Sequence, residues 1–229
     1  MPAYNESQHI YDNALQTCAT WKTDDVEVIV VDDGSHDKTF EEASAAEQID
    51  ARIRVLKLEK NGGKGAALAK GFGLAQGVYV AFLDADLEIQ PDYVVKMLAA
   101  LETSGKDVIV GRKVYKHAKV PLLRRVMSRV YRNYVRLLFN LKLRDTQTGI
   151  KVFRRQVLES CMPKMTVKGF AFDVELLALA QRAGYQIEEF PVELTYKRTR
   201  SLERIKAIHI LRMFVDTLKI YLRMQKAKG

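Results

Sequence analysis

The chain has 229 residues, of which 48% are hydrophobic and 28% charged, an ordinary globular composition with room for one large domain and not for two comfortable ones. Two cysteines, Cys18 and Cys161, fit neither a disulfide framework nor a metal spacing and read as reduced thiols of a protein in a cytosol-facing compartment; no apolar run is long enough to cross a bilayer and the N-terminus has no signal-peptide pattern. The net charge of +9 is uneven, with eleven Lys and Arg and no acid between Asp107 and Asp145, and ten more from Lys197 to Lys228 against Glu203 and Asp216, so the partner is expected to be anionic: a phosphorylated substrate, an acidic lipid surface or nucleic acid.

In chain order, Pro2-Ala3-Tyr4-Asn5-Glu6 reads as a turn whose Asn5 caps a helix to about Ala19, with Ile10, Ala14, Leu15 and Cys18 on one face. Val26 to Val31 is apolar enough for a strand buried on both faces, and it stops at Asp32-Asp33-Gly34-Ser35, where Ser35 can cap a helix through about Glu47. The plan repeats with a strand from Ile53 to Leu58, the turn Asn61-Gly62-Gly63-Lys64-Gly65 and a small-residue helix from Ala66 to about Gln76. A fourth apolar run starts at Val78 and ends in Asp84-Ala85-Asp86-Leu87-Glu88. In an extended segment Asp84 and Asp86 would lie on one side, roughly 7 Å apart, and could share one hard metal ion; the other reading is a helix cap or turn before Pro91.

Strand alternating with helix argues a mostly parallel, doubly wound α/β sheet, in which ligands bind beyond the carboxyl ends of the strands. That rule puts Pro2 to Glu6, Asp32-Asp33, the Gly62 to Gly65 turn and Asp84-Ala85-Asp86 on one rim. A nucleotide suits such a rim: acids accept from base and ribose, Lys64 and glycine N–H groups meet phosphate, and a metal on the acids neutralises a diphosphate. The glycine turn alone has neither the Walker pattern nor GxGxxG spacing, so the four clusters carry the reading together.

The series Pro-Ala-Tyr-Asn-Glu, Val31-Asp32-Asp33-Gly34-Ser35, Asn61-Gly62-Gly63-Lys64-Gly65 and Asp84-Ala85-Asp86 resembles family 2 glycosyltransferases of the GT-A, Rossmann-like fold, over nearly the whole chain. Asp145-Thr146-Gln147-Thr148-Gly149-Ile150-Lys151-Val152-Phe153 and Phe172-Asp173-Val174-Glu175-Leu176 resemble the polyprenyl-phosphate sugar synthases, nearer the dolichyl-phosphate glucosyltransferases than the mannosyl enzymes. The resemblance implies that Pro2, Ala3, Tyr4, Glu6 and Asp33 hold base and ribose, that Lys64 and Asp84 face the nucleotide, and that Asp86 with Glu88, beside Asp84, binds Mg²⁺ or Mn²⁺. The family often has Gln where Glu88 stands. Its members also carry an apolar strand before the Pro-Ala-Tyr-Asn-Glu segment, inside the sheet, whereas Met1 directly precedes Pro2; this is read as a truncated or mis-started chain.

After Asp86, Pro91 opens a helix to about Ser104 and Asp107 to Val110 is a short strand. From Pro121 to Leu141, Leu123, Met127, Val130, Tyr134, Leu138 and Leu141 recur at helical spacing, with Arg125, Arg129, Arg132 and Arg136 on another face. This is a basic amphipathic helix, either a solvated surface helix or one lying in a headgroup layer. A helix follows from Asp173 to about Ala183, with Asp173 and Glu175 in its first turn, where acids also suit the helix dipole. Ile187 to Tyr196 is a strand made irregular or peripheral by Pro191, and a last amphipathic helix runs from about Leu202 to Met224. By resemblance, Asp145 lies near the acceptor side of the sugar and Arg198 or Arg200 closes over the diphosphate; Arg112, Arg124 and Arg125 are candidates for steering an anionic acceptor.

The expectation is one GT-A domain over 1–229, with residues 1–111 as the nucleotide-sugar half and 112–229 as the acceptor half with interfacial helices. Its reaction is inverting transfer of a hexose, glucose first, from a UDP- or GDP-sugar to a polyprenyl or dolichyl phosphate at the cytoplasmic face of a membrane, with catalytic candidates Asp86, Arg112, Asp145 and Asp173. Peripheral membrane contact is part of that reading, nucleic acid is not, and a homo-oligomer or a separate membrane subunit is left open. A hydroxyl acceptor would need Asp173 as general base; a phosphate, already ionised, would not. The remaining alternative, a basic nucleic-acid module, lacks interleaved stacking aromatics.

Overall fold

The strands that the sequence makes apolar on both faces form the centre of the molecule: all five residues of β2 (Val28–Asp32) are buried, as are the first four of β6 (Ile150–Arg154). The computed structural model describes residues 1–23, 25–114, 122–169, 171–194 and 207–226, and within these the side chains of 122–125 and 207–210 fall outside the description. Chain order is β1 (Pro2–Ala3), α1 (Ile10–Ala19), β2, α2 (Thr39–Ile49), β3 (Ile53–Lys57), α3 (Lys64–Leu74), β4 (Tyr79–Leu83), α4 (Asp92–Ser104) and β5 (Val108–Val114). Then come α5 (Leu122–Phe139), β6, α6 (Arg155–Cys161), a 3₁₀ turn (Met162–Lys164), α7 (Phe172–Arg182), β7 (Ile187–Glu193) and α8 (Ala207–Lys226).

The strands are arranged as β1-β2-β3, all parallel, and β4-β6-β5-β7, in which β6 runs antiparallel to both β4 and β5 while β5 and β7 are parallel. The fold is therefore α/β with mostly parallel ladders, as expected, and the antiparallel exception is β6. Strand-helix alternation enforces parallel neighbours only when each helix crosses straight back over the sheet. After β5 the chain instead leaves through α5 and the 140–149 loop and returns in the opposite sense. Among the described residues no ladder joins β1 to β4, and the two sets of strands meet through side chains: Met1 packs into the core around Val30 and Ile53 and into that around Leu83 and Ile109. Among the described residues β7 lies at an edge, where Pro191 has no second strand to leave unpaired.

Two expected caps are corrected. Asn5 does not cap α1; it takes a left-handed φ of 54°, its Oδ1 accepts from His36 N–H at 3.0 Å and its own N–H donates to Ser35 Oγ at 2.9 Å. Ser35 does not cap α2 either, because its hydroxyl and N–H both donate to Asp32 Oδ1. Both residues thus fasten the first rim loop to the second. The two cysteines are free and buried, Cys18 in α1 and Cys161 at the end of α6. None of the described helices is long and apolar enough to cross a membrane.

Candidate active site at the strand ends

The rim loops converge as expected, but mostly through backbone donors. Ala3 O accepts from Asp33 N–H at 2.8 Å, which binds the first loop to the end of β2. The Asp33 carboxylate accepts from Gly62 N–H at 2.7 Å and Gly63 N–H at 2.9 Å. Burial raises the Asp33 pKa and those two N–H groups oppose the rise. Gly63 has φ +88° and a Cβ there would meet Lys168 O at 2.7 Å, so the turn admits no side chain and presents backbone toward the rim.

Lys64 opens α3 and its Nζ lies 2.7 Å from Asp84 Oδ1. Burial works against its charge, but Asp84, Asp173 and Asp86 around it prevail and hold the ammonium above the ordinary lysine range. Asp84-Ala85-Asp86 is a turn rather than an extension of β4: Leu87 N–H returns to Asp84 O at 3.3 Å and Leu87 has φ 47°. The same-side extended pair is therefore corrected to a turn, which a period-two argument cannot describe once the ladder has ended. Asp84 N–H donates to Gly149 O at 3.1 Å, and a Cβ on Gly149 would overlap the Asp84 carboxylate. Asp86 is pushed up to about 6 by burial, then by Asp84, with smaller contributions from Glu88 and Glu6. Glu6 is buried, its N–H donating to Thr39 Oγ1 at 2.8 Å, whereas Tyr4 is 38% exposed with its ring edge-on to His36.

Among the described residues no three His, Cys, Asp or Glu side chains converge as a ready-made metal cage, so Asp84, Asp86 and Glu88 do not form a closed ligand triad. The donor set still suits a hard cation. Mg²⁺ is ordinarily held by one or two carboxylates with substrate phosphates completing the shell, and Asp86, crowded by Asp84, Glu88 and Glu6 with Lys64 nearest on the cationic side, offers a carboxylate that could serve in this way.

Behind the rim, α7 carries Asp173 and Glu175, both buried. Lys151, the second residue of β6 and 1% exposed, reaches Asp173 Oδ1 at 2.7 Å and Thr148 O at 2.6 Å. Burial lowers the Lys151 pKa and Asp173 opposes that shift. The sequence reading gave Lys151 no role; its signal was a lone lysine inside Ile150-Lys151-Val152-Phe153, a strand otherwise fit only for a core. Arg112 and Asp145 come together on a different acid: Arg112 Nε is 3.9 Å from Glu189 Oε2, and Asp145 N–H donates to Glu189 Oε1 at 3.0 Å. Arg198 and Arg200, and the side chains of Arg124 and Arg125, lie outside the described residues.

Acids, a lysine and a glycine turn gathered beyond the strand ends of an α/β fold are a layout suited to a group-transfer protein with an anionic substrate. Residues 1–162 match Glycosyl transferase family 2, and the chain belongs to that family. It is 32% identical over 214 residues to Glycosyltransferase AglD of Haloferax volcanii, covering 91% of this chain and 34% of that protein. To the dolichyl-phosphate beta-glucosyltransferase of Dictyostelium discoideum it is 30% identical over 212 residues, covering 85% of this chain and 65% of the relative. To that of Saccharomyces cerevisiae it is 31% identical over 215 residues, covering 84% and 64%. The chain thus spans about a third of the first relative and just under two thirds of the other two. Among solved structures, glucosyl-3-phosphoglycerate synthase from Mycobacterium tuberculosis, crystallised with Mn²⁺, UDP and glucosyl-3-phosphoglycerate, superposes with a TM-score of 0.72 at 24% identity, covering 96% of this chain and 77% of that one. That likeness establishes the GT-A-type fold.

Proposed function

We propose that this chain transfers a hexose, glucose from UDP-glucose first, to a polyprenyl or dolichyl phosphate at a membrane surface, with inversion at the anomeric carbon. The observation that carries the choice of acceptor is the buried Lys151–Asp173 pair. Asp173 is the acid a hydroxyl acceptor would need as base, and here its charge is already committed to a lysine that water does not reach. An acceptor phosphate brings its own negative oxygen and needs no base. The relatives named dolichyl-phosphate beta-glucosyltransferase support the same acceptor.

In this mechanism the base and ribose lie along Pro2, Ala3, Tyr4, Glu6 and Asp33. With the Gly62 and Gly63 N–H groups engaged by Asp33 and that of Gly65 by Lys168 O, Lys64 is the group of this turn that holds the diphosphate, and Arg198 or Arg200 are the candidates to close over it. Asp86, with Glu88 and Asp84 nearby, would hold Mg²⁺ or Mn²⁺, whose charge when bound offsets the negative charge of the leaving diphosphate. The acceptor phosphate, steered by Arg112 and the basic stretch that follows it, attacks from the face opposite the diphosphate.

Membrane contact rests on α5 and α8. Val126, Val130 and Leu137 on α5, and Leu211, Val215, Leu218 and Leu222 on α8, are exposed at helical spacing beside Arg129, Arg136, Arg212, Lys219 and Lys226. An apolar stripe bordered by cations suits an anionic headgroup layer. The face differs from the expected one: Tyr131 and Val135 fill the core and Val130 points outward.

The test is product mass with UDP- and GDP-sugars and a short polyprenyl phosphate, with and without Mn²⁺, on the wild type and Asp173→Asn. Transfer from UDP-glucose within about tenfold of wild type in Asp173→Asn supports the phosphate acceptor, since loss of a general base costs about 10²–10⁴-fold. Abolished transfer with donor binding intact overturns the choice of acceptor drawn from the Lys151–Asp173 pair.

A further inference from the structure

Glu175 and Arg223 have no part in the mechanism above, yet they join the last helix to the donor turn. Glu175 is fully buried one turn into α7. Its Oε1 accepts from Thr166 N–H and Thr166 Oγ1, both at 3.1 Å, and its Oε2 from Thr166 N–H at 3.1 Å and Val167 N–H at 2.8 Å. Arg223, in the last turn of α8, donates through one guanidinium nitrogen to Glu175 Oε1 and through another to Thr166 Oγ1. The segment 166–168 is therefore a strap, pinned by one carboxylate and closed by a cation from a distant helix.

The far end of that strap backs the glycine turn. Lys168 O accepts from Gly65 N–H at 2.9 Å and lies where a Cβ on Gly63 would sit. A Cβ on Gly65 would strike the ring of Phe172, so turn, strap and α7 pack without slack. Between Gly63 and Gly65 stands Lys64, whose ammonium meets Asp84 at 2.7 Å. A continuous set of contacts thus runs from Arg223 through Glu175, Thr166, Val167 and Lys168 to the backbone that carries Lys64.

We infer that Glu175 and Arg223 are positioning residues for the donor diphosphate, acting through the 166–168 strap on the Gly63-Lys64-Gly65 turn. This rests on the donor assignment above. A buried carboxylate held by three local donors still carries a full charge, and the guanidinium both neutralises it and fixes where α8 ends relative to the strap. Without Arg223 the strap loses its outer anchor, and the turn that presents Lys64 samples more positions before a ligand arrives.

The experiment reads two quantities in the full chain: UDP affinity by calorimetry with Mn²⁺, and hydrogen exchange of the Gly65 amide without ligand. Arg223→Met is expected to weaken UDP binding about 5–10-fold, at the lower end of coupling between separate sites, and to speed Gly65 exchange, with Arg223→Lys recovering most of both. Should Arg223→Met fail to fold, the double variant Glu175→Gln with Arg223→Met removes both charges together and is read the same way. Unchanged UDP affinity and unchanged Gly65 exchange overturn the inference. If the wild type binds no UDP, the donor assignment falls by itself, and Gly65 exchange alone decides whether Glu175 and Arg223 position the turn through the strap: faster exchange supports it, unchanged exchange overturns it.

Discussion

The carboxylates of the rim and those of α7 are held in opposite ways. On the rim, Asp33 is met by two glycine N–H groups, Asp32 by Ser35, and Asp86 by Glu88 N–H. On α7, Asp173 is met by Lys151 and Glu175 by Arg223. A backbone dipole steadies an acid without cancelling its charge, whereas a lysine or guanidinium cancels it. The rim therefore stays net negative where Asp86 stands, with Lys64 against Asp84 as its one described ion pair, and α7 is neutralised from within. The region left charged is the one equipped for a cation and a diphosphate; the compensated region is equipped to hold its neighbours still.

Substitutions at either region sharpen or break that division. The largest effect is expected from Lys151→Met, which strands Asp173 in the core and should cost about 3–5 kcal/mol of stability by urea unfolding, while Lys151→Met with Asp173→Leu should recover much of it. If the single variant is nearly silent, the α7 acids are not structural. Asp86→Asn should do the reverse, lowering transfer by about 10²–10³-fold while leaving the urea midpoint unchanged or raising it, because the substitution removes a charge that burial and neighbouring acids disfavour; a lowered midpoint would make Asp86 structural too. Gly149→Ala forces a methyl onto the Asp84 carboxylate and should cost about 1–3 kcal/mol, with a raised KM for the donor marking the displacement of Asp84 from Lys64.

Smaller effects are expected away from both regions. Leu218→Glu, on the exposed stripe of α8, should change stability by no more than about 0.5 kcal/mol and reduce co-sedimentation with anionic vesicles. Asp50 lies near 2 because the Arg52 side chain donates to its carboxylate. A folded-state pKa below the unfolded value means that the pair's contribution is present above about pH 4 and fades as pH falls toward 2. Asp50→Asn should therefore cost less than about 1 kcal/mol at pH 6 and converge with the wild type near pH 2 in urea titrations.

The sequence determined the strand-helix alternation of the first half, the rim clusters and the family, because each depends on a short run of residues whose spacing fixes its own geometry. Val28 to Val31 has to be buried wherever the strand goes, and Gly62-Gly63-Lys64 has to turn. Tertiary structure alone decided which way β6 runs, which face of α5 meets the core, that Asp84-Ala85-Asp86 turns, and that Lys151 and Arg223 answer Asp173 and Glu175. Those partners lie 22 and 48 residues apart, and no local period links them. A buried charge selects its counter-ion by proximity in the folded chain, so the pairing exists only once the elements that carry it have packed.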